Sequence, residues 1–182
     1  MKFIKSDLPG VTIIEPKVFI DERGFFLEAF NAQKFIENDL PSEFVQDNHS
    51  RSKKGTLRGI HYQISHVQGK LIRVVLGEIF DVAVDLRRSS TYFGRWFGII
   101  LSAENKKQLW VPPGFGHGFY VLSDWAEVVY KTTDVYDPAG ERCILWKDST
   151  LEINWPIIDN ASVLLSPKDR QGLLLEEAEV FD

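Results

Sequence analysis

Short apolar stretches separated by turn residues follow one another through almost the whole chain. Residues 70–87, "KLIRVVLGEIFDVAVDLR", predict two strands that meet at Gly77, and the second strand alternates apolar with mostly polar side chains. Other predicted strands lie in the segments "VTIIEPKVFI", "GFFLEAF", "FVQDNHS", "TLRGIHYQI", "GRWFGIILS", "KKQLWVPP", "HGFYVLS" and "AEVVYKTTDVY". This pattern predicts an all-β fold, a β-sandwich or barrel of the jelly-roll type.

Helix is predicted at only two short places. The segment "NAQKFIENDL" predicts one helix, with Asn31 as its N-cap and Pro41 beyond its end. After Pro156 we expect irregular chain with a short helix near "LLLEEAE". Because no linker, repeat or low-complexity segment divides the sequence, we expect one jelly-roll domain over residues 1–182.

Charge and cysteine content exclude several classes of partner. The 182 residues carry a net charge of -5 and no basic block, so binding to a nucleic-acid polymer through bulk charge is not expected. The single Cys143 cannot form an intramolecular disulfide or a cysteine-cluster metal site. The start "MKFIKSDLPGV" lacks signal-peptide features, and no apolar run approaches the roughly 20 residues that span a membrane. We therefore expect a cytoplasmic protein without membrane contact.

The stretch "RGIHYQ" contains His61, one of only four histidines, which could be a core residue, a metal ligand or a catalytic base. A metal-binding pair of histidines one residue apart is missing, since residues 61–63 read His-Tyr-Gln, and His117 alone does not complete a site. We therefore expect no metal. The nearby charges of Arg58 and Lys70 make a plain core residue less favoured, because buried charges need partners or a use.

A second polar segment is "YKTTDVY". Strict alternation places four polar side chains on one face of the predicted strand: Tyr130, Thr132, Asp134 and Tyr136. Tyrosines at the rim of a core would give the same pattern, but the whole polar face is more typical of a cavity wall. A jelly roll can hold a ligand between its sheets, so the sequence predicts a polar pocket there.

These motifs together resemble the dTDP-4-dehydrorhamnose 3,5-epimerase family of the cupin superfamily. The matching segments run in the family's order from about residue 8 to about residue 170: "DERGFFLEAF", "FVQDNHS", "RGIHYQ", "GKLIRVVLGEIFDVAVDLR", "LWVPPGFGHGFYVLS", "YKTTDVY", "INWP" and "LSPKD". The resemblance implies a homodimeric jelly roll that needs no cofactor. Its implied reaction inverts C3 and C5 of dTDP-4-dehydro-6-deoxy-D-glucose, a step in the biosynthesis of dTDP-L-rhamnose.

The resemblance also implies roles for four residues in the chemistry. His61 corresponds to the family's base, and histidine titrates close enough to neutral pH for that task. Asp169, in "LSPKD", corresponds to the partner that orients the base. Tyr130 corresponds to the proton donor on the opposite face of the sugar. Lys70 corresponds to the lysine near the C4 oxygen, where a positive charge stabilises an enolate.

Further residues correspond to the family's substrate contacts. Arg58 and His117 match contacts to the pyrophosphate, for which a guanidinium group is well suited. The remaining matches are Gln46, Asp47 and Asn48 at the nucleoside end, and Arg23, Glu28, Glu141 and Lys168 elsewhere on the substrate. The family takes part of this site from the neighbouring subunit, so the resemblance implies that the dimer contributes to binding.

One prediction concerns the backbone between Arg58 and His61. Strict strand alternation sends these two side chains to opposite faces, although both are expected at the same ligand. We therefore predict a bulge or twist near Gly59, where glycine makes such a distortion inexpensive.

Three alternative functions remain open at this point. Sister enzymes that epimerise only C3, or that shift the ketone in another deoxysugar pathway, keep the same base and nucleotide positions. Tyr130 favours the double epimerase. A non-catalytic sugar-nucleotide-binding jelly roll and a metal-dependent oxygenase or isomerase of the same fold are less favoured.

Overall fold

The computed structural model describes residues 1–157 and 162–182, and two antiparallel sheets dominate it. The larger sheet contains, in spatial order, β1 (Lys2–Lys5), β2 (Thr12–Glu15), β10 (Gln108–Val111), β7 (Lys70–Leu76), β12 (Trp125–Thr132) and β5 (Gln46–Lys53). The smaller sheet contains β13 (Glu141–Cys143), β6 (Leu57–Gln63), β11 (Phe115–Val121), β8 (Glu78–Asp85) and β9 (Trp96–Ser102). A separate hairpin pairs β3 (Val18–Asp21) with β4 (Gly24–Leu27). The helices are α1 (Ala32–Ile36) and α2 (Pro167–Arg170).

The main core lies between the two sheets. The larger sheet contributes residues such as Ile72 and Val128, and the smaller sheet contributes Ile79 and Phe119. Burial of this apolar surface is the principal force that holds the sheets together. The fold is a jelly-roll sandwich, so the prediction of an all-β protein with few short helices is confirmed.

Two smaller apolar clusters cover the outer faces of the sheets. Behind the smaller sheet, Val82 and Val84 pack with Leu151 and Leu175 from the C-terminal region. Behind the larger sheet, Phe35 of α1 packs on Leu71 and other residues. The space between the sheets therefore remains available for a pocket at the end that the core does not fill.

Several local predictions are confirmed. The Asn31 side chain caps α1 by accepting a hydrogen bond from the backbone N–H of Lys34 at 3.2 Å. The helix ends earlier than Pro41, at Ile36, and the chain leaves it through Asp39, whose φ is 58°. Strands β7 and β8 meet at Gly77, whose φ is 73°.

Three predictions are wrong in detail. The segment "VTIIEPKVFI" forms two separate strands, β2 and β3, because Pro16 has no backbone N–H to donate to a neighbouring strand. The segment "LLLEEAE" forms a hydrogen-bonded turn rather than a helix, with the N–H groups of Glu177 and Ala178 both donating to the carbonyl of Leu174. The nearest helix is α2, seated earlier in the chain.

The third correction concerns "YKTTDVY". Strand β12 ends at Thr132, so the alternation does not continue to Asp134 and Tyr136. Thr132 is buried and donates its hydroxyl to the carbonyl of Asp134, which turns the chain away from the sheet. Asp134 instead pairs with His66 outside the pocket, at 3.2 Å.

Candidate active site

A polar cleft with a volume of about 670 Å³ opens between the two sheets. This is within the usual range for a small-molecule site. The larger sheet lines the cleft with Gln46, Asn48, Ser50, Lys70 and Tyr130; the smaller sheet with Arg58, His61, His117, Phe119 and Glu141; and α2 with its flank Ser166, Pro167, Lys168 and Asp169. Gln68 and Tyr136 complete the lining. The cleft thus brings together ten of the thirteen residues predicted from the sequence.

His61 and Asp169 form a close pair in the cleft. Nε2 of His61 lies 2.7 Å from Oδ1 of Asp169, although the oxygen lies off the direction of the ring N–H, so a small rotation is needed to align the hydrogen bond. Asp169 is the third residue of α2 and forms a capping box with Ser166, whose hydroxyl donates to Oδ2 at 2.6 Å. The N–H of Gly59 donates to Oδ1 at 3.0 Å. The carboxylate is therefore fixed from three sides.

The charge state of Asp169 follows from these contacts. Burial raises the pKa of the carboxyl, but the His61 ring, the Ser166 hydroxyl and the Gly59 N–H stabilise its anionic form. The net result is a pKa of about 2, so Asp169 is an anion at neutral pH. An anion against Nε2 requires the proton there and leaves Nδ1 of His61 as the ring nitrogen able to accept one.

The backbone bulge predicted near Gly59 is present. His61 pairs with His117 and Arg58 pairs with Phe119, so residues 58–61 of β6 oppose only three residues of β11. Gly59 has a φ of 121°, and a Cβ there would lie 2.5 Å from the Cα of Gly118. The extra residue brings Arg58 and His61 into the same cleft, which confirms the prediction.

Lys70 lies at the start of β7, where its half-buried side chain places the ammonium group beside the His61 backbone. Its Nζ donates to the His61 carbonyl at 3.4 Å. Burial lowers the pKa of Lys70 to about 8, and the carboxylates of Glu141 and Asp81 oppose that shift. Lys70 therefore carries its charge at neutral pH and loses it in mildly alkaline solution.

Tyr130 stands on β12, in the sheet opposite to His61. Burial raises the pKa of its phenol, so the hydroxyl keeps its proton at neutral pH. Among the described residues, no hydrogen bond engages that hydroxyl. The cleft thus has a proton acceptor on one wall and a proton donor on the other.

His117 forms a second histidine–aspartate pair. Its Nε2 lies 2.9 Å and 3.1 Å from the two carboxylate oxygens of Asp81, and both side chains are buried. The sequence patterns did not identify Asp81. The sequence signal is an aspartate between apolar neighbours in the middle of β8, but its partner lies 36 positions away and only the fold brings the two together.

Of the other predicted residues, one group lines the cleft and a second group lies outside it. Gln46 and Asn48 lie side by side in the cleft, with the Gln46 amide donating to Asn48 Oδ1 at 2.9 Å. Glu141 contacts both Lys168 and the hydroxyl of Tyr136 at the cleft mouth.

Asp47, Arg23 and Glu28 do not line this cleft. The alternation of β5 turns Asp47 outward to Lys131 at 2.9 Å. Arg23 pairs with Asp21 at the tip of the β3–β4 hairpin at 2.6 Å. Glu28 follows β4 and binds Lys34. Within one chain, these three residues therefore lie away from the other ten predicted site residues.

One group of side chains resembles a metal-ligand set. His61, Cys143 and Asp169 bring one ligand atom each within 4.8 Å of one another. Burial raises the pKa of the Cys143 thiol to about 12, and both oxygens of Asp169 already accept hydrogen bonds. Since metals bind thiolate and free carboxylate lone pairs, this set fits a hydrogen-bonded pair better than a metal centre. No helix among the described residues has the length and apolar character needed to cross a membrane.

The fold and the comparisons with known proteins together define a jelly-roll isomerase. The family model described as dTDP-4-dehydrorhamnose 3,5-epimerase matches residues 5–177. The chain is 57% identical to the dTDP-4-dehydrorhamnose 3,5-epimerase of Pseudomonas aeruginosa over 182 residues, covering 100% of this chain and 99% of the relative. The chain belongs to the dTDP-4-dehydrorhamnose 3,5-epimerase family.

Solved structures agree with this assignment. The RmlC epimerase from Legionella pneumophila, crystallised in complex with dTDP-4-keto-L-rhamnose, has a TM-score of 0.94 and 51% identity, covering 98% of this chain and 94% of that one. A 3'-monoepimerase from Streptomyces bikiniensis, ChmJ, has a TM-score of 0.89 and 34% identity, covering 95% and 87%. The fold is therefore shared by enzymes that invert two centres and by one that inverts a single centre.

Proposed function

We propose that the protein inverts C3 and C5 of dTDP-4-dehydro-6-deoxy-D-glucose and yields dTDP-4-dehydro-L-rhamnose, for the biosynthesis of dTDP-L-rhamnose. The observation that carries this proposal is the placement of His61 and Tyr130 on opposite sheets of one cleft. Inversion at carbon needs a proton removed from one face and another delivered to the opposite face. A base and an acid on facing walls provide that arrangement without a cofactor.

The proposed reaction begins with proton abstraction beside the C4 ketone. His61 accepts the proton, and the Asp169 carboxylate balances the charge of the resulting imidazolium. The electron pair moves onto the ketone oxygen, where the half-buried ammonium of Lys70 stabilises the enolate. Tyr130 then gives its proton to the carbon from the other side. Once His61 has released its proton to solvent and Tyr130 has taken one up, the same sequence at the second carbon completes the double inversion.

The nucleotide part of the substrate occupies the rest of the cleft in this proposal. Arg58 and His117 bind the pyrophosphate, because they place hydrogen-bond donors on the same side of the cleft as the base. Gln46 and Asn48 offer amide groups to the nucleoside. Lys168, held by Glu141, contributes a further positive charge at the mouth.

We also propose that the chain acts as a homodimer, in the cytoplasm. The β3–β4 hairpin exposes a set of large apolar side chains to solvent: Phe19 at 52%, Ile20 at 81%, Phe25 at 61% and Phe26 at 70%. Such a patch is typical of an interface. Arg23 lies at the tip of this hairpin and Glu28 directly follows it, so a second chain covering the patch receives both near its own substrate.

A single inversion at C3 is the second candidate. It is favoured by the likeness to the ChmJ 3'-monoepimerase, since a shared fold and cleft do not by themselves require both carbons to react. A ketoisomerase of another deoxysugar pathway would use the same base. The double reaction is preferred because the chain is 57% identical over its whole length to a dTDP-4-dehydrorhamnose 3,5-epimerase but 34% identical to ChmJ.

The proposal is tested by incubating the protein with dTDP-4-dehydro-6-deoxy-D-glucose and a reductase specific for the 4-keto product, with NADPH. Formation of dTDP-L-rhamnose supports the proposal, whereas a product inverted at C3 alone indicates the second candidate. The His61→Asn variant is the control and should give neither product. Binding of dTDP without turnover would instead indicate a non-catalytic binding module. Loss of turnover with EDTA, restored by a metal, would indicate a metal-dependent enzyme.

A further inference from the structure

The chain buries four aspartates among the described residues, and two of them have clear structural tasks. Asp85 accepts hydrogen bonds from Arg87 and Ser90 and so fixes the loop after β8. Asp148 accepts the backbone N–H groups of residues 150, 151 and 175 and so fixes the C-terminal region. A buried carboxylate is costly without such partners. These two carboxylates are explained by the fold that they stabilise.

Asp81 has no comparable structural task. It lies in the middle of β8, is fully buried, and makes its only side-chain hydrogen bonds among the described residues with Nε2 of His117. It caps no helix and closes no turn. The only residue that benefits from its negative charge at hydrogen-bond distance is a histidine of the cleft.

The placement of this pair parallels that of the proposed catalytic pair. His117 and His61 are register partners on the adjacent strands β11 and β6, and each has a buried aspartate against its Nε2. A carboxylate accepts hydrogen bonds only, so Asp81 requires a proton on Nε2 and holds the ring by both oxygens. Nδ1 of His117 is then the nitrogen without a partner in the described part of the chain.

We propose that Asp81 is a positioning residue for nucleotide binding: it holds His117 so that Nδ1–H donates a hydrogen bond to the pyrophosphate of the substrate. In the proposed complex both ring nitrogens are protonated, so the ring is a cation that contacts the Asp81 carboxylate through Nε2 and the pyrophosphate through Nδ1. This inference rests on the proposed function, because it assumes a diphosphate ligand in the cleft. The inference concerns nucleotide binding and not the proposed proton transfers, because it gives Asp81 no part in them.

The test is a double-mutant cycle measured by calorimetric titration with dTDP. Asp81→Asn keeps the size of the side chain but removes its charge, and we expect dTDP to bind roughly tenfold or more weakly, as for loss of a charged hydrogen bond. His117→Gln should weaken binding similarly. The double variant should bind dTDP no more weakly than the weaker-binding of the two single variants, because each change removes the same interaction. In turnover below neutral pH, where Lys70 stays protonated without the help of the Asp81 charge, Asp81→Asn should raise KM with little change in kcat.

Asp85→Asn is the matched control, since Asp85 is equally buried on the same strand and lies outside the cleft. It should leave the affinity for dTDP unchanged. Strictly additive losses in the cycle, or wild-type affinity in Asp81→Asn, would overturn the inference and leave the proposed function intact. Failure of the wild-type protein to bind dTDP would overturn both.

A measurement on the wild-type protein covers the case in which Asp81→Asn does not fold. The ¹⁵N spectrum of His117 should show a protonated Nε2 in the free protein, and both nitrogens protonated after dTDP is added. An unprotonated Nε2 in either state contradicts the proposed role of Asp81.

Discussion

Oδ1 of Asp169 lies 2.7 Å from Nε2 of His61 and accepts the N–H of Gly59, two residues earlier on the same strand, at 3.0 Å. One carboxylate therefore contacts both the ring of the proposed base and the backbone bulge that places this ring in the cleft. The carboxylate itself is fixed by the capping box at the start of α2. The position of the base thus depends on contacts between two elements, β6 and α2, that are distant in sequence.

Replacing Asp169 by Asn should reduce kcat by roughly 10² to 10⁴, the range associated with acid–base assistance. Asn can still accept the Gly59 N–H, but it carries no charge to balance a protonated His61. Steady-state kinetics should show the loss in kcat, with the affinity for dTDP retained. Asp148→Asn is the control, because Asp148 is similarly buried and outside the cleft. Equal losses in both variants would indicate a general effect on the fold.

The rate should fall as pH rises through about 8, the pKa to which burial lowers Lys70. The direction follows from the charge: a lysine with a lowered pKa is protonated below that value and neutral above it, so enolate stabilisation is lost on the alkaline side. The profile of kcat against pH measures this. Lys70→Arg should keep its charge throughout and remove the alkaline decline, even if its kcat is lower. An unchanged decline in this variant would assign it to another group.

Gly59→Ala should destabilise the protein by about 3 kcal/mol or more, since it combines a strained positive φ with overpacking. The new Cβ would meet the Cα of Gly118 at 2.5 Å and the carbonyl oxygen of His117 at 2.8 Å. Gly24→Ala is the matched control: its φ is 130°, but nothing lies within 4 Å of the added atom. Denaturant unfolding should therefore show a clearly smaller loss for Gly24→Ala. Equal losses in the free energy of unfolding would mean that backbone strain alone, and not the close contacts at Gly59, accounts for both values.

The Arg23→Ala and His61→Asn variants should complement each other if the hairpin serves the partner's cleft. Each homodimer should be nearly inactive, but a mixed dimer has one cleft with an intact His61 and an intact Arg23 from the other chain. Random pairing makes half of the dimers mixed, so about a quarter of the wild-type activity is expected. A mixture no more active than its parents would place Arg23 in its own chain's cleft or outside the site.

The sequence predicted those parts of the fold that depend on local chemistry. The strand boundary at Gly77, the cap at Asn31 and the bulge at Gly59 each follow from a residue whose conformational preference or hydrogen bonding is local. Strand β13 was not predicted, because its three residues are too few to show periodicity. Asp81 was not predicted as part of the site, because its contact with His117 exists only after β8 and β11 have paired.

The expected positions of Arg23, Glu28 and Asp47 illustrate a different limit. Their family correspondence implies substrate contacts, yet a single chain directs them away from its cleft. In the proposed homodimer, Arg23 and Glu28 serve the cleft of the second chain, and the geometry of one chain does not show such a contact. The exposed apolar side chains of the hairpin support that proposal, because Phe25 and Phe26 lie close to Arg23 in the sequence and only Gly24 separates Arg23 from Phe25.

The most direct test of the central claim, that His61 and Tyr130 transfer protons on opposite faces of the sugar, is proton NMR of dTDP-4-dehydro-6-deoxy-D-glucose turned over in deuterium oxide. Wild-type protein should place deuterium at both C3 and C5 with inversion at each. Tyr130→Phe should still exchange protons through His61 but should invert far more slowly, because the opposite donor is missing. Deuterium that enters C3 and never C5 in the wild-type protein, or full inversion by Tyr130→Phe at the wild-type rate, would contradict the account.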